Sequence, residues 1–207
     1  MSALVTALPR LIAGSLLVGL LSGSAVAQQT APSRVRGTIE SVSGDALAVK
    51  SRSGEQVTLH TTGDLQVAGI VKTTLSEIKV GSFIGATTVP GPDGAHNAVE
   101  VHVFPEAMRG AGEGSRSWDS RPNSTMTNAT VAQTVAGNDG STLTVKYNGG
   151  EKIVTVTPAT AVVAFVPGDR ADLKPGAQIV AFVKSRPDGS FDAARISVGR
   201  DGVTPPM

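Results

Sequence analysis

Cysteine is absent from the 207 residues. That excludes disulfides, thiolate metal centres and cysteine nucleophiles together. Aromatic residues make up only 3% of the chain, with Trp118 and Tyr147 the sole Trp and Tyr. Cores must therefore be filled by Val, Ile, Leu and Ala. Five Phe and one Tyr, scattered along the sequence, give no visible platform on which single-stranded nucleic acid could stack. Charge of one sign is also lacking. The formal net charge is +1, and Arg10, in the leader described below, supplies it. The remainder is close to neutral and offers no basic field for nucleic acid or anionic lipid. Beyond the leader, no apolar run approaches the roughly 20 residues a spanning helix needs.

Residues 1–27 read as a secretory signal. Arg10 ends a weakly positive region, Leu11 to Leu21 is apolar, and Ala25-Val26-Ala27 is a small-x-small cleavage site. Gly14, Ser15 and Gly19 interrupt the apolar run, which argues against a membrane anchor. Cleavage is expected between Ala27 and Gln28, with no cysteine there to carry a lipid. The mature protein is then periplasmic or secreted, with no membrane span after cleavage.

What is present is Gly (24 residues), Pro (12) and abundant Val and Thr, a composition of strands and tight turns. It is organised as a repeat. Copy one covers 35–104 and copy two 128–199, flanked by tails at 28–34 and 200–207 and separated by residues 105–127. Gly37-Thr38-Ile39 opens copy one where Ala129-Thr130-Val131 opens copy two. Leu47-Ala48-Val49-Lys50 matches Leu143-Thr144-Val145-Lys146, and Gly54-Glu55-Gln56-Val57 matches Gly150-Glu151-Lys152-Ile153. Ile78-Lys79-Val80-Gly81 matches Leu173-Lys174-Pro175-Gly176, each preceded by a turn or a single helical turn. Pro92-Asp93-Gly94 matches Pro187-Asp188-Gly189, a dipeptide-plus-Gly pattern suited to tight hairpins. The copies close on Ala98 to Val103 and Ala193 to Val198. There Val99, Val101 and Val103, and likewise Ala194, Ile196 and Val198, alternate as buried positions. This period of two turns Glu100 and His102, like Arg195 and Ser197, outward.

Five or six short strands in about 70 residues predict, for each copy, a small barrel of the oligonucleotide/oligosaccharide-binding (OB) plan. The fold class is thus all-β: two tandem OB-like barrels joined by an irregular segment, with a small open sandwich as the alternative. On these elements each copy resembles a unit of the exported bacterial family known as domain of unknown function 5666. Units of that family pair an opening Gly-x-Ile strand with a Leu-Lys-x-Gly turn and an Ala-x-x-Ile closing strand. Here these are Gly37-Thr38-Ile39, Leu173-Lys174-Pro175-Gly176 and Ala193 to Ile196. Ile78 replaces the Leu in copy one, and Ala129 the opening Gly in copy two. The resemblance covers about two-thirds of the chain and implies an exported protein of small β-barrel units.

The segment between the copies holds the only Trp together with alternating charge. Glu106, Arg109, Glu113, Arg116, Trp118 and Asp119 are the candidate partner- or ligand-binding residues, since Trp and Arg dominate binding hot spots. The same stretch also reads as a linker packed against the barrels with Trp118 as a wedge, or, less in keeping with its composition, as a catalytic loop. Chemistry elsewhere is sparse. His60, His96 and His102 are the only imidazoles. His96 and His102 share a face only if their strand is regular, and then stand about 20 Å apart, so they make at most a weak metal site. Asp-Gly pairs at 93–94, 139–140, 188–189 and 201–202 are turn chemistry. No calcium loop, Gly-x-Ser-x-Gly elbow or phosphate loop occurs. The sequence therefore predicts a non-enzymatic exported protein without cofactor or metal, binding a protein partner or envelope component. A small-ligand or metal-binding accessory protein is the alternative.

Overall fold

The computed structural model describes residues 34–206 apart from 138 and 139. The leader at 1–27, the tail up to residue 33 and residues 138 and 139 lie outside the described residues. The rest is all-β, as its Val, Thr and Gly content dictates, and no α-helix occurs among the described residues. The strands are β1 (Arg34–Ser43), β2 (Ala46–Ser51), β3 (Gln56–Lys72), β4 (Phe83–Pro90), β5 (His96–Val103), β6 (Gly114–Ser117), β7 (Thr125–Gly137), β8 (Gly140–Tyr147), β9 (Gly150–Val156), β10 (Ala161–Pro167), β11 (Gln178–Ser185) and β12 (Phe191–Gly199). Single 3-10 turns at Leu75–Glu77 and Arg170–Asp172 precede β4 and β11. The Pro-Asp-Gly hairpins close with Gly94 and Gly189 at φ 76° and 84°, a region only glycine enters without strain.

The repeat is visible in the hydrogen bonding. β1 pairs with β2 and β2 with β3, all antiparallel, and the same meander recurs in β7, β8 and β9. β4 and β5 form one hairpin, β11 and β12 the other. Bulges fall at equivalent places: at Glu40 and Ala132 in the opening strands, and at Val99 and Ala194 in the closing strands.

The strands do not close ring by ring as the copies run, and here the expectation of one barrel per copy needs correction. β1 pairs with β11, and β12 runs parallel to β3. The closed five-stranded barrel is thus β1-β2-β3-β12-β11, three strands from copy one and two from copy two. β4, β5, β7, β8 and β9 form a ring of the same order, with β6 and β10 outside both. β4 pairs with β7, and β5 meets β9 at the single pair Asn97–Thr155. The cores follow the pairing. Val35, Ile39, Leu47, Val49 and Leu59 pack with Ile179, Ala181, Ile196 and Val198, while Ile84, Ala86 and Val101 pack with Ala129, Leu143, Val145 and Val154.

The cause is β3. It runs without a break for 17 residues, out of its own ring, and delivers the β4–β5 hairpin to the other. In copy two the chain turns at Thr157–Thr160 and resumes as β10. The two extensions lie antiparallel with Ile70 opposite Phe165. Ile70 precedes Gly81 by the same interval as Phe165 precedes Gly176, so an approximate two-fold axis passes through this pair. Each buried Leu- or Ile-sized side chain contributes about 1.5–3 kcal/mol, against a net stability of roughly 5–15 kcal/mol for a whole domain. Removing a donated hairpin would strip a ring of several such side chains, so the rings are stable only together.

The bulges also correct the alternation in the closing strands. At Val99 and Ala194 the register shifts by one residue, which reverses the facing of side chains on one side of the bulge relative to the other. Ala98 and Val101 share a core, as do Ala193 and Ile196, whereas Ala194 is exposed. Glu100 and His102, expected on the wet face, are 1% and 2% exposed. They lie on β5 where β10 runs alongside it, and Phe104 and Phe165 cover that side.

Candidate functional site

The irregular segment expected at 105–127 is folded down along its length. Residues 106–108 make a 3-10 turn, and β6 pairs with β7 from Gly114–Asn128 to Ser117–Thr125. The Arg109 Nη2 donates to the Gly81 carbonyl at 2.9 Å, and Asn128 Nδ2 to the Ala111 carbonyl at 2.9 Å. The segment thereby covers one side of the β3–β10 crossing and encloses a cleft of about 1050 Å³.

The floor of the cleft gathers the scarce aromatic residues. Phe104 and Phe165 stack with centroids 5.1 Å apart and planes 2° from parallel. His102 meets both edge-on, at 4.7 and 5.2 Å, and Phe83 packs behind at 5.3 Å from Phe104. Below them lies a closed polar relay. Thr87 Oγ1 donates to Glu100 Oε2 at 2.7 Å, and Glu100 Oε1 is 2.6 Å from His102 Nδ1. The imidazole lies across Gly85, whose missing side chain makes the room. Asn128 adds a buried Oδ1 without a hydrogen-bond partner beside it. Both oxygens of Glu100 are engaged inside the protein, so this carboxylate braces the ring of His102, which itself lines the cleft.

One wall is a ladder of guanidinium groups and rings. Arg34 lies 3.8 Å over Trp118 and 5.3 Å from Phe182; Arg116 reaches the Trp118 ring at 5.7 Å and Arg195 the Phe182 ring at 5.5 Å. Asp119 stands behind, bridging Arg34 at 3.1 Å and Arg36 at 2.7 Å. Burial pushes the Asp119 carboxyl up, but the hydrogen bond and charge of Arg36, joined by Arg34, outweigh it and hold the group below its ordinary value of 3.8. A depressed folded-state value stabilises the fold above the unfolded value and is lost as pH falls through the folded one. Asp119→Asn is therefore expected to cost about 1 kcal/mol at pH 7. The difference should vanish on the acid side of 3.8. Melting curves of both proteins from pH 7 downward check this; a constant gap across the range would contradict it.

Of the six residues singled out from sequence, Arg109, Arg116 and Trp118 line the cleft, and Asp119 steadies its wall. The other two take structural parts. Glu106 pairs with Arg109 at 2.5 Å, and Glu113 accepts the Asn148 amide at 2.9 Å. The sequence reading missed Arg34, Phe104, Phe165, Phe182 and Arg195. Phe residues scattered along the chain converge in space because β5, β10 and β11 bring them to one crossing. The one legible signal was the period-two pair Arg34 and Arg36 on the opening strand. The three histidines stay apart. His60 stands opposite Asp192 across β3 and β12, and His96 opposite Pro90. Among the described residues no three His, Asp or Glu side chains are grouped to hold a metal ion, nor is any helix long and apolar enough to cross a membrane.

Fold and site together define an all-β chain on a closed five-stranded barrel, carrying an arginine- and aromatic-lined cleft at its strand crossing. No family model, curated protein or solved structure matches it.

Proposed function

We propose that this chain is an exported, non-enzymatic binding protein of the periplasm, built from two OB-like units that trade their closing hairpins and holding a small ligand in the cleft between them. The units keep the resemblance to the family known as domain of unknown function 5666. One observation carries the reading: a hollow of about 1050 Å³, at the upper end of the size range of small-ligand pockets, walled by ring faces and four arginines. A protein partner, the use first suggested by the composition of 105–127, is better served by a segment standing clear of the barrel. This one is tied down by strand pairing and by Arg109, Glu113 and Asn128.

Native mass spectrometry of protein released gently from the periplasm tests the proposal. One small molecule per chain is expected, and its loss when the mouth is filled by Ala107→Trp, a change at an exposed lining position. A ligand retained by Ala107→Trp, or a stoichiometric protein partner with no small molecule, would contradict it.

A further inference from the structure

The charges lining the cleft are unbalanced, and the imbalance specifies the ligand. Two of the four lining arginines have carboxylate partners: Arg109 with Glu106, and Arg34 with Asp119. Arg116 and Arg195 have none among the described residues. Arg116 donates to the Gly112 carbonyl at 2.7 Å and touches Trp118, while Arg195 touches Phe182. No Asp or Glu lines the cleft to offset them. Burial and the neighbouring Arg34 charge push the Arg116 guanidinium below its ordinary value. Below the arginines the surface is flat and apolar, with ring faces or edges of Phe104, Phe165, Phe182 and Trp118 and the flexible Met126. A simple inorganic anion would satisfy the arginines and leave these rings bare. An uncharged aromatic molecule would fill the floor and leave both guanidiniums without a carboxylate partner.

We infer that the cleft takes an apolar ring system bearing one or two carboxylates, the rings lying against the Phe and Trp side chains and each acid held at one end of the ladder, by Arg116 or by Arg195. This rests on reading the cleft as the binding site. It adds that the site selects anions, through guanidinium groups whose planar donor forks match a carboxylate. The two ends recognise separate parts of one molecule, so neither part alone should bind well.

The test uses 2-naphthoate on the mature chain, with 2-naphthamide and acetate as the uncharged and ringless controls. Calorimetry gives stoichiometry and affinity. Fluorescence of Trp118, the only tryptophan, reports occupancy at the wall itself. One 2-naphthoate per chain is expected, quenching Trp118, with 2-naphthamide and acetate each at least about tenfold weaker. One of Arg116→Gln and Arg195→Gln, marking the end at which the single acid sits, should weaken 2-naphthoate about tenfold without moving 2-naphthamide, and the matching Arg→Lys should recover only part of the loss. Arg52→Gln, on an exposed arginine outside the cleft lining, should change nothing. Arg195 is exposed, so its variants test binding without threatening the fold. If 2-naphthamide binds as tightly as 2-naphthoate and the Arg→Gln variants bind normally, anion selection is overturned while the cleft remains a binding site. Acetate binding as tightly as 2-naphthoate would overturn the ring requirement. Absence of any 2-naphthoate binding would overturn the inference outright; only a failure of the mass-spectrometric test as well would remove the cleft.

Discussion

Gly85→Ala is expected to lower the melting temperature by roughly 6–12 °C, the equivalent of about 3 kcal/mol of overpacking in a chain of this size. Gly85 sits in β4 between His102 on one neighbouring strand and Asn128 on the other. A Cβ there would fall on Nε2 and Cε1 of the imidazole and lie 2.8 Å from Asn128 Oδ1. The ring cannot step aside. Its Nδ1 is fixed by Glu100, and Phe104 and Phe165 stand against its faces and edge. Nor can Asn128 withdraw without releasing the Ala111 carbonyl and the covering segment with it. Gly63→Ala is the control, since nothing lies within 4 Å of a Cβ at that position. Its effect should stay within about 0.5 kcal/mol. Equal stability of the two variants would mean that the imidazole does not lie over Gly85.

Removing the carboxylate beneath that ring is expected to cost a similar amount by a different route. Glu100→Ala leaves the Thr87 hydroxyl and His102 Nδ1 facing each other across a void, in a place where Glu100 is 1% exposed. Two buried polar groups without partners, each costing about 1–3 kcal/mol, together with the lost packing, put the loss at about 4 kcal/mol. Glu100→Gln keeps the volume and an acceptor oxygen, so it should lose less than half as much. Urea unfolding of the three proteins provides the comparison. A Glu100→Ala variant within about 1 kcal/mol of the parent would show that water, not protein, serves these groups. The equivalent position in copy two makes the contrast plain. There Arg195 is exposed and works at the cleft wall, so one slot of the repeat has become a buried brace and the other a surface cation.

The duplication, the strand order within each copy and the Pro-Asp-Gly hairpins were legible from residue patterns, because turn chemistry and local periodicity act over a few residues. The strand exchange was not. Ile84 and Ala86 of β4 and Ile179 and Ala181 of β11 present nearly the same small apolar face, so β1 could pair with either hairpin. What decides is whether the chain turns after the third strand. It turns at Thr157–Thr160 and runs on through Gly63, a difference of backbone path that hydrophobic pattern does not encode. The bulges misled for a related reason. One extra residue at Val99 or Ala194 leaves composition unchanged and puts Ala98 and Ala193 in the cores in place of Val99 and Ala194; Glu100 and His102 face away from the core as the alternation has it, and it is β10 with Phe104 and Phe165, invisible in the local pattern, that covers them. Half the cleft was legible because Arg109, Arg116 and Trp118 stand together in an unusual segment. Arg34 on β1 and Phe182 and Arg195 on the β11–β12 hairpin are brought side by side only by the exchange.

Cross-linking decides the exchange directly, and the absence of native cysteine makes it clean. Thr38 of β1 lies opposite Gln178 of β11, and paired strands hold their Cα atoms within the roughly 4.4–6.8 Å a disulfide tolerates. Under mild oxidation Thr38→Cys/Gln178→Cys should lose both free thiols and keep its melting temperature. Thr38→Cys/Phe83→Cys, the pairing that copy one would make if it closed on its own hairpin, should retain both. Thiols surviving in the first protein and vanishing in the second would mean that each copy closes its own barrel, and the interleaved rings described here would be wrong.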